Sequence, residues 1–242
     1  MPACAELWLE GDAVMGAPWR RAIHKALHDA LGDELGDDAH QAGQQRGLDT
    51  AEPLSWYAQQ QRGGIRLWVY HLSDDRWELF RDRITAMRRI DLPDAQHRVT
   101  LHSSQHSSWA EYLSIEMQKP PSAAWHIEFL SPTVFRHLNA AWDSPILEYL
   151  IAGVCRRARL LQIVTLEPLV LQQQVQRVRG LHIQRQSLQI KGDTPTPCFT
   201  GRMTIELSHA SVEWQQLLAV AQVVGVGWRV AYGFGAVRAR AL

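Results

Sequence analysis

A chain of 242 residues that is 46% hydrophobic can bury a full core, with room for two domains of about 120 residues each. Its 25 basic and 25 acidic residues exclude a uniformly basic nucleic-acid binder, and it has no uncharged apolar run of the roughly 18 residues a membrane span needs. The N-terminus lacks a charged region followed by an apolar stretch, so a soluble, cytoplasmic protein is expected, and Cys4, Cys155 and Cys198 are too scattered for a disulfide framework or a thiolate zinc site.

Residues 4–10 alternate in polarity as a strand does, and Pro18 then opens a helix from Trp19 to about Leu35. Trp19, Ile23, Ala26, Leu27, Ala30 and Leu31 share its apolar face, which leaves Arg21, His24 and His28 on the flank and the far side. A polar, Gly-bounded loop follows, holding His40 and Arg46. Leu54–Ala58 and Ile65–Leu72 read as strands around the turn Arg62-Gly-Gly64. Asp74 or Asp75 caps a helix running to about Ile90, and Arg98–His102 supplies a last strand. The order βαββαβ is that of a ferredoxin-like lobe, expected over residues 1–104.

Residues 105–122 are rich in Ser, Gln and Pro and form the expected connection, with room for a short element around Trp109–Ile115. A second lobe, residues 123–242, repeats the pattern. Trp125–Phe129 is a strand, Pro145–Leu161 a helix, and Val170–Val178, Leu181–Ile190 and Met203–Leu207 are strands. Val212–Val224 is an apolar helix that runs into Gly225-Val-Gly-Trp-Arg-Val-Ala-Tyr-Gly-Phe-Gly235, and Phe234–Arg240 is the closing strand. The expected fold class is α+β, two tandem ferredoxin-like lobes with a C-terminal glycine-rich loop. The acidic residues crowd 29–38 and 49–52, so the C-terminal lobe is the basic one.

The glycines Gly225, Gly227, Gly233 and Gly235 allow positive φ and close backbone approach, and successive N–H groups at such a turn can form a nest for a phosphate. The loop is not a dinucleotide fingerprint, because it follows a helix and Val230 stands where the third glycine belongs. A second motif lies upstream, Trp125-His-Ile-Glu-Phe-Leu-Ser-Pro-Thr-Val-Phe-Arg136. A strand ending in Ser-Pro-Thr-x-Phe-Arg, then a helix, further strands and a final Gly-x-Gly...Gly-Phe-Gly loop, resembles the CRISPR repeat-RNA endoribonuclease family of the RAMP superfamily. The likeness covers mainly residues 125–240. The short, charge-balanced first lobe leaves open a divergent subtype such as those of type IV systems.

That resemblance implies metal-independent cleavage, in which the 2′-hydroxyl attacks the adjacent phosphate and leaves a 2′,3′-cyclic phosphate and a 5′-hydroxyl. The reaction needs a base, a proton for the leaving oxygen, and positive charge on the phosphorane. The family usually draws the base from the first lobe's helix or the loop after it, where this sequence offers His40 first, then His24 and His28, with Arg20, Arg21 and Arg46 as electrostatic partners. Histidine titrates near neutral pH, whereas an all-arginine site stabilises charge but is a poor base. His24 and His28 have the spacing of a metal pair, but Lys25 stands where a zinc-peptidase helix has glutamate and no third ligand is marked. No metal or other cofactor is expected.

The RNA-binding candidates are the four loop glycines with Trp228, Arg229, Arg238 and Arg240, where Trp228 offers a ring for a base. A bulky residue at Gly233 or Gly235 is expected to weaken RNA binding more than folding. Arg81, Arg83, Arg88 and Arg89 on the Asp75–Arg89 helix either clamp phosphates or form a solvated face neutralised by Asp75, Glu78 and Asp82. Arg177, Arg179 and Arg185 lie on the two alternating segments after Leu169, which read either as a hairpin entering an RNA groove or as a half-exposed sheet. The partners implied are the precursor crRNA repeat hairpin, the mature crRNA and subunits of a CRISPR effector complex, with no membrane. Two other readings stand beside the nuclease, a catalytically inactive crRNA-binding subunit and a tandem ferredoxin-like protein that binds a small ligand through the glycine loop.

Overall fold

A computed structural model describes residues 2–11, 17–32, 54–93, 96–137, 140–189, 195–230 and 233–242. The chain divides into two compact units: residues 1–108 with 188–194 and 231–233, and residues 109–187 with 195–230 and 234–242.

The first unit runs β1 (Cys4–Glu10), α1 (Ala17–Leu31), β2 (Leu54–Gln61), β3 (Gly64–His71), α2 (Trp77–Ala86), β4 (Arg89–Asp91) and β5 (Gln96–Gln105). Its antiparallel sheet has the order β2-β3-β1-β5-β4. Removing the short edge strand β4 leaves the strand arrangement of a ferredoxin-like fold. One face of the sheet buries Leu7, Leu9, Trp56, Leu67 and Val69 with Ile23, Leu27 and Leu31 of α1 and Phe80 and Ile84 of α2. The alternate residues form the other face, where Tyr57 and Trp68 stack at 4.5 Å as a direct cross-strand pair.

Two elements of this unit differ from the sequence reading. α1 closes at Gly32 rather than near Leu35, because Gly32 takes φ +72° and its N–H donates to His28 O at 3.0 Å. α2 stops at Ala86, since Met87 is extended, so Arg88 lies in the connection and Arg89 is on β4, paired with Arg98 of β5. The helix therefore keeps Arg81 and Arg83 but not Arg88 and Arg89. Arg81 forms ion pairs with Glu78 and Asp82, the local neutralisation that a solvated face would have.

The second unit runs α3 (Trp109–Met117), β6 (Ala124–Thr133), β7 (Phe135–His137), β8 (Ala140–Trp142), α4 (Leu147–Leu160), α5 (Pro168–Gln173), β9 (Val175–Leu188), β10 (Thr196–Leu207), α6 (Val212–Val224) and β11 (Val237–Ala241). The sheet order β11-β6-β10-β9 repeats the ferredoxin-like arrangement, with β7 and β8 as a separate two-stranded ribbon. Trp125, Ile127 and Phe129 of β6 and Met203, Ile205 and Leu207 of β10 are buried, as are Leu150, Ile151, Val154 and Ala158 of α4. α6 is buried on nearly every side. Ser211 caps it by accepting from Trp214 N at 3.2 Å, and Tyr112 of α3 donates to Ala219 O at 3.1 Å.

The expected pair of strands around Gly180 is one strand. Residues 168–173 form the short helix α5, begun by Pro168 in the first turn, and β9 then runs unbroken from Val175 to Leu188. Gly180 takes φ +56°, and a side chain there would lie 3.6 Å from Thr204 Oγ1 of β10, so it sits inside the strand instead of turning a hairpin. β9 is an edge strand exposed along almost its whole length.

Candidate nucleic-acid interface

The glycine loop is built onto the end of β6. Trp228 N donates to Val134 O at 2.7 Å, Gly235 N to Pro132 O at 3.0 Å and Ala236 N to Ser131 Oγ at 2.9 Å, while Leu130 N donates to Ala236 O at 2.8 Å. Across the loop, Val226 N donates to Gly235 O at 2.8 Å. The two sequence motifs are thus one hydrogen-bonded unit, and these loop N–H groups are already engaged inside the protein. Any anion nest must be built without them.

Each of the four glycines is required by close approach. All four have φ between +71° and +79°. A methyl group would meet Val230 Cγ1 at 2.9 Å from Gly225 and the Trp56 ring at 2.5 Å from Gly233, and would overlap Val134 O from Gly227 and Val226 O from Gly235. The glycines therefore hold the loop's shape, and substitution at Gly233 or Gly235 acts on folding first. This corrects the expectation that such changes separate binding from stability.

Arg157, half-buried in the last turn of α4, holds the carbonyl side of the loop. Its Nη1 donates to Gly225 O at 3.0 Å and its Nη2 to Gly227 O. Nothing in the sequence pointed to it, because an arginine in the last turn of an amphipathic helix is commonplace. Arg136 is another residue without an expected role. Its Cζ lies 4.8 Å from the centroid of the Trp228 ring, and Arg229 Cζ lies 4.2 Å from the same ring. Trp228, expected to offer its ring to a base, is packed against two guanidiniums.

The second sheet carries a group of basic residues on β9, β10 and β11. Register places Arg238 beside Glu128 and Arg240 beside His126, while β10 sets Arg202 and Thr204 on the other side of the same pair. Arg238 reaches Glu128 at 3.7 Å. Arg177 and Arg179 both pair with Glu206, the second at 3.0 Å, and Arg185 lies 3.5 Å from Asp143. These groups are about half exposed, so the pairs are weak and an incoming polyanion can compete for the arginines. Glu128 and Glu206 stand among Arg177, Arg179, Arg202, Arg238 and Arg240 on this sheet.

In the first unit, α1 places Arg20, His24 and His28 in one line at successive turns. Arg20 is buried, and its Nη1 donates to Gly233 O at 2.6 Å. His24 and His28 are half-buried and meet edge to face at 4.3 Å, whereas Arg21 is exposed. His40 and Arg46 lie outside the described residues. Two other histidines have structural settings: His97 is buried with Nδ1 2.8 Å from Glu10 O, and burial holds His71 below the usual histidine range. Among the described residues, no group of three or more His, Cys, Asp or Glu is placed to hold a metal, and no helix is long and apolar enough to cross a membrane.

Residues 127–237 match the family model of the CRISPR-associated endoribonuclease Cas6. No curated protein sequence matches the chain. Among solved structures, a Cas6 product complex is similar with a TM-score of 0.76 at 21% identity, over 99% of this chain and 100% of that one. Cas6 of Thermus thermophilus gives 0.69 at 22% identity, over 99% and 98% of the two chains. A Cas6-related protein from Pyrococcus furiosus gives 0.65 at 12% identity, over 98% and 97%. The stretch that matches the family model begins within β6 and ends at the start of β11, so it spans both motifs and the hydrogen bonds that join them. The chain thus carries the sequence pattern of the CRISPR-associated endoribonuclease Cas6 across residues 127–237, and the Cas6 fold, two ferredoxin-like units, over its length.

Proposed function

We propose that the protein is a CRISPR RNA-processing endoribonuclease that binds the repeat hairpin of precursor crRNA, cuts it without a metal and keeps the mature crRNA. The observation that carries this reading is the wiring of the glycine loop to the Ser131–Val134 end of β6, within the stretch that matches the Cas6 family model. The product complex of a similar Cas6 supports an RNA ligand for this fold. Binding is assigned to the second unit. Arg238 and Arg240 on β11 and Arg177, Arg179 and Arg185 on exposed β9 contact phosphates, and the glycine loop positions Arg229.

In the cleavage step, a histidine takes the proton from the 2′-hydroxyl as the 2′-oxygen attacks phosphorus. The bond from phosphorus to the 5′-oxygen breaks, that oxygen takes a proton from water as it leaves, and the histidine returns its proton to solvent. The products are a 2′,3′-cyclic phosphate and a 5′-hydroxyl. The base is assigned to His40, or to His24 or His28 on α1, with Arg21 and Arg46 stabilising the charge on the phosphorane. Retention of the product provides the guide for an effector complex.

The test is a gel shift and cleavage assay on a repeat hairpin with EDTA present. A shortened product ending in a cyclic phosphate is expected. A free 3′-hydroxyl, or activity abolished by chelation, overturns the mechanism. Binding without cutting identifies an inactive crRNA-binding subunit, and absence of binding leaves the small-ligand reading.

A further inference from the structure

We propose that Arg136, Trp228 and Arg229 form a clamp on the RNA backbone, in which the indole supports two guanidiniums that each contact a phosphate and does not stack on a base. The proposal rests on the RNA-processing reading above and assigns the loop's phosphate contact to side chains. Three observations carry it. The N–H groups of Val226, Trp228, Gly235 and Ala236 are engaged within the protein, so these four backbone donors are not available to a phosphate. Both guanidiniums lean on one ring, at 4.8 and 4.2 Å from its centroid. Packing on the indole orders each side chain before RNA arrives, which lowers the cost of holding a phosphate. Guanidinium presents planar paired donors, which match the two non-bridging oxygens of a phosphodiester.

The third observation is the backbone of Arg229. It takes φ +60°, a left-handed conformation that strains any residue with a Cβ. The loop uses glycine at four other positions of this kind, Gly225, Gly227, Gly233 and Gly235. Glycine at position 229 would relieve the strain, so what arginine adds there is its side chain. The ring that supports it is itself fixed, because Trp228 N donates to Val134 O and Arg157 holds the Gly227 carbonyl just before it.

The left-handed backbone makes the test clean. Arg229→Gly keeps the loop's conformation and should melt no lower than the wild type. Its affinity for the repeat hairpin should fall roughly tenfold. The slope of log affinity against log salt should shrink by about 0.7–0.9, the loss of one phosphate contact. Arg136→Gln should do the same, and the double variant should lose two contacts. An unrelated single-stranded RNA of equal length should weaken in proportion, because phosphate contacts are independent of sequence. Trp228→Leu should cost affinity in the wild-type background and nothing further in the Arg136→Gln/Arg229→Gly background. A wild type that binds no RNA overturns the functional reading and the clamp together. A wild type that binds while both single arginine variants keep its affinity and salt slope overturns the clamp alone. Equal loss from Trp228→Leu in both backgrounds shows the ring contacting a base directly and also overturns it.

Discussion

Replacing Gly235 by alanine should unfold the second unit at markedly lower temperature. Gly235 takes φ +71°, so any side chain there costs about 1–2 kcal/mol of backbone strain. The new methyl group would also overlap Val226 O, forcing Val226 and Gly235 apart. That movement breaks the Val226 N to Gly235 O bond and pulls on the Gly235 N to Pro132 O bond, each contributing about 0.5–1.5 kcal/mol. The total is about 2–5 kcal/mol, or a fall in Tm of roughly 4–20 °C for a protein of this size. Gly180→Ala is the control, since Gly180 also takes positive φ but a methyl group there has ordinary contacts, 3.6 Å from Thr204 Oγ1. It should carry the strain alone. Thermal melts of the two variants followed by circular dichroism make the comparison. If Gly235→Ala melts at or above Gly180→Ala, the loop is not held by its contacts with β6 in the way described.

Three further outcomes are expected. The buried ring of His71 has a lowered pKa in the folded state, so it is neutral there while the unfolded chain takes up a proton as pH falls below about 6.5. Stability should therefore drop on acidification by up to about 1.4 kcal/mol per pH unit until the folded pKa is reached, and His71→Gln should flatten the melting temperature between pH 7.5 and 5.5; an unchanged pH dependence refutes this. Arg157→Leu removes both donors to Gly225 and Gly227, and amide exchange at Trp228 should then quicken while the core of β6 stays protected; uniform protection would mean the loop does not depend on Arg157. If a histidine is the base, RNA cutting should fall as pH drops through about 6.5, and alanine at His40, His24 or His28 should slow it about 100- to 10,000-fold while sparing RNA affinity. Normal rates in all three variants, with failure of Arg21→Ala, would move the chemistry to arginine.

Much of the fold was legible because burial imposes a period. Trp125, Ile127 and Phe129 alternate with His126 and Glu128, which marks β6 as a strand with one buried face, and Trp19, Ile23, Leu27 and Leu31 mark the buried stripe of α1. β9 defeated the same logic. Its alternation continues although nearly all of it is exposed, and a glycine at its centre resembles a turn until the ladder to β10 shows the strand passing through. Met87 likewise ended α2 where the arginine pattern ran on, because Arg89–Asp91 is drawn into pairing with β5.

The candidate site divides along the same line. Sequence by itself determined which residue types gather in the second half, namely the glycines at 225, 227, 233 and 235, the basic residues of β9 and β11, and the Ser-Pro-Thr-x-Phe-Arg motif, because these depend on local conformation and composition. Only tertiary structure decided what those residues face. Arg157 turning to two loop carbonyls, Arg136 packing on the Trp228 ring, and the loop's N–H groups turning to Val134, Pro132 and Ser131 all join positions dozens of residues apart. No period in the chain encodes such pairings. They arise when the strand ending at Thr133 and the turn after α6 are brought together by the ferredoxin-like sheet, and each buried polar group must then find a partner among whatever that packing supplies.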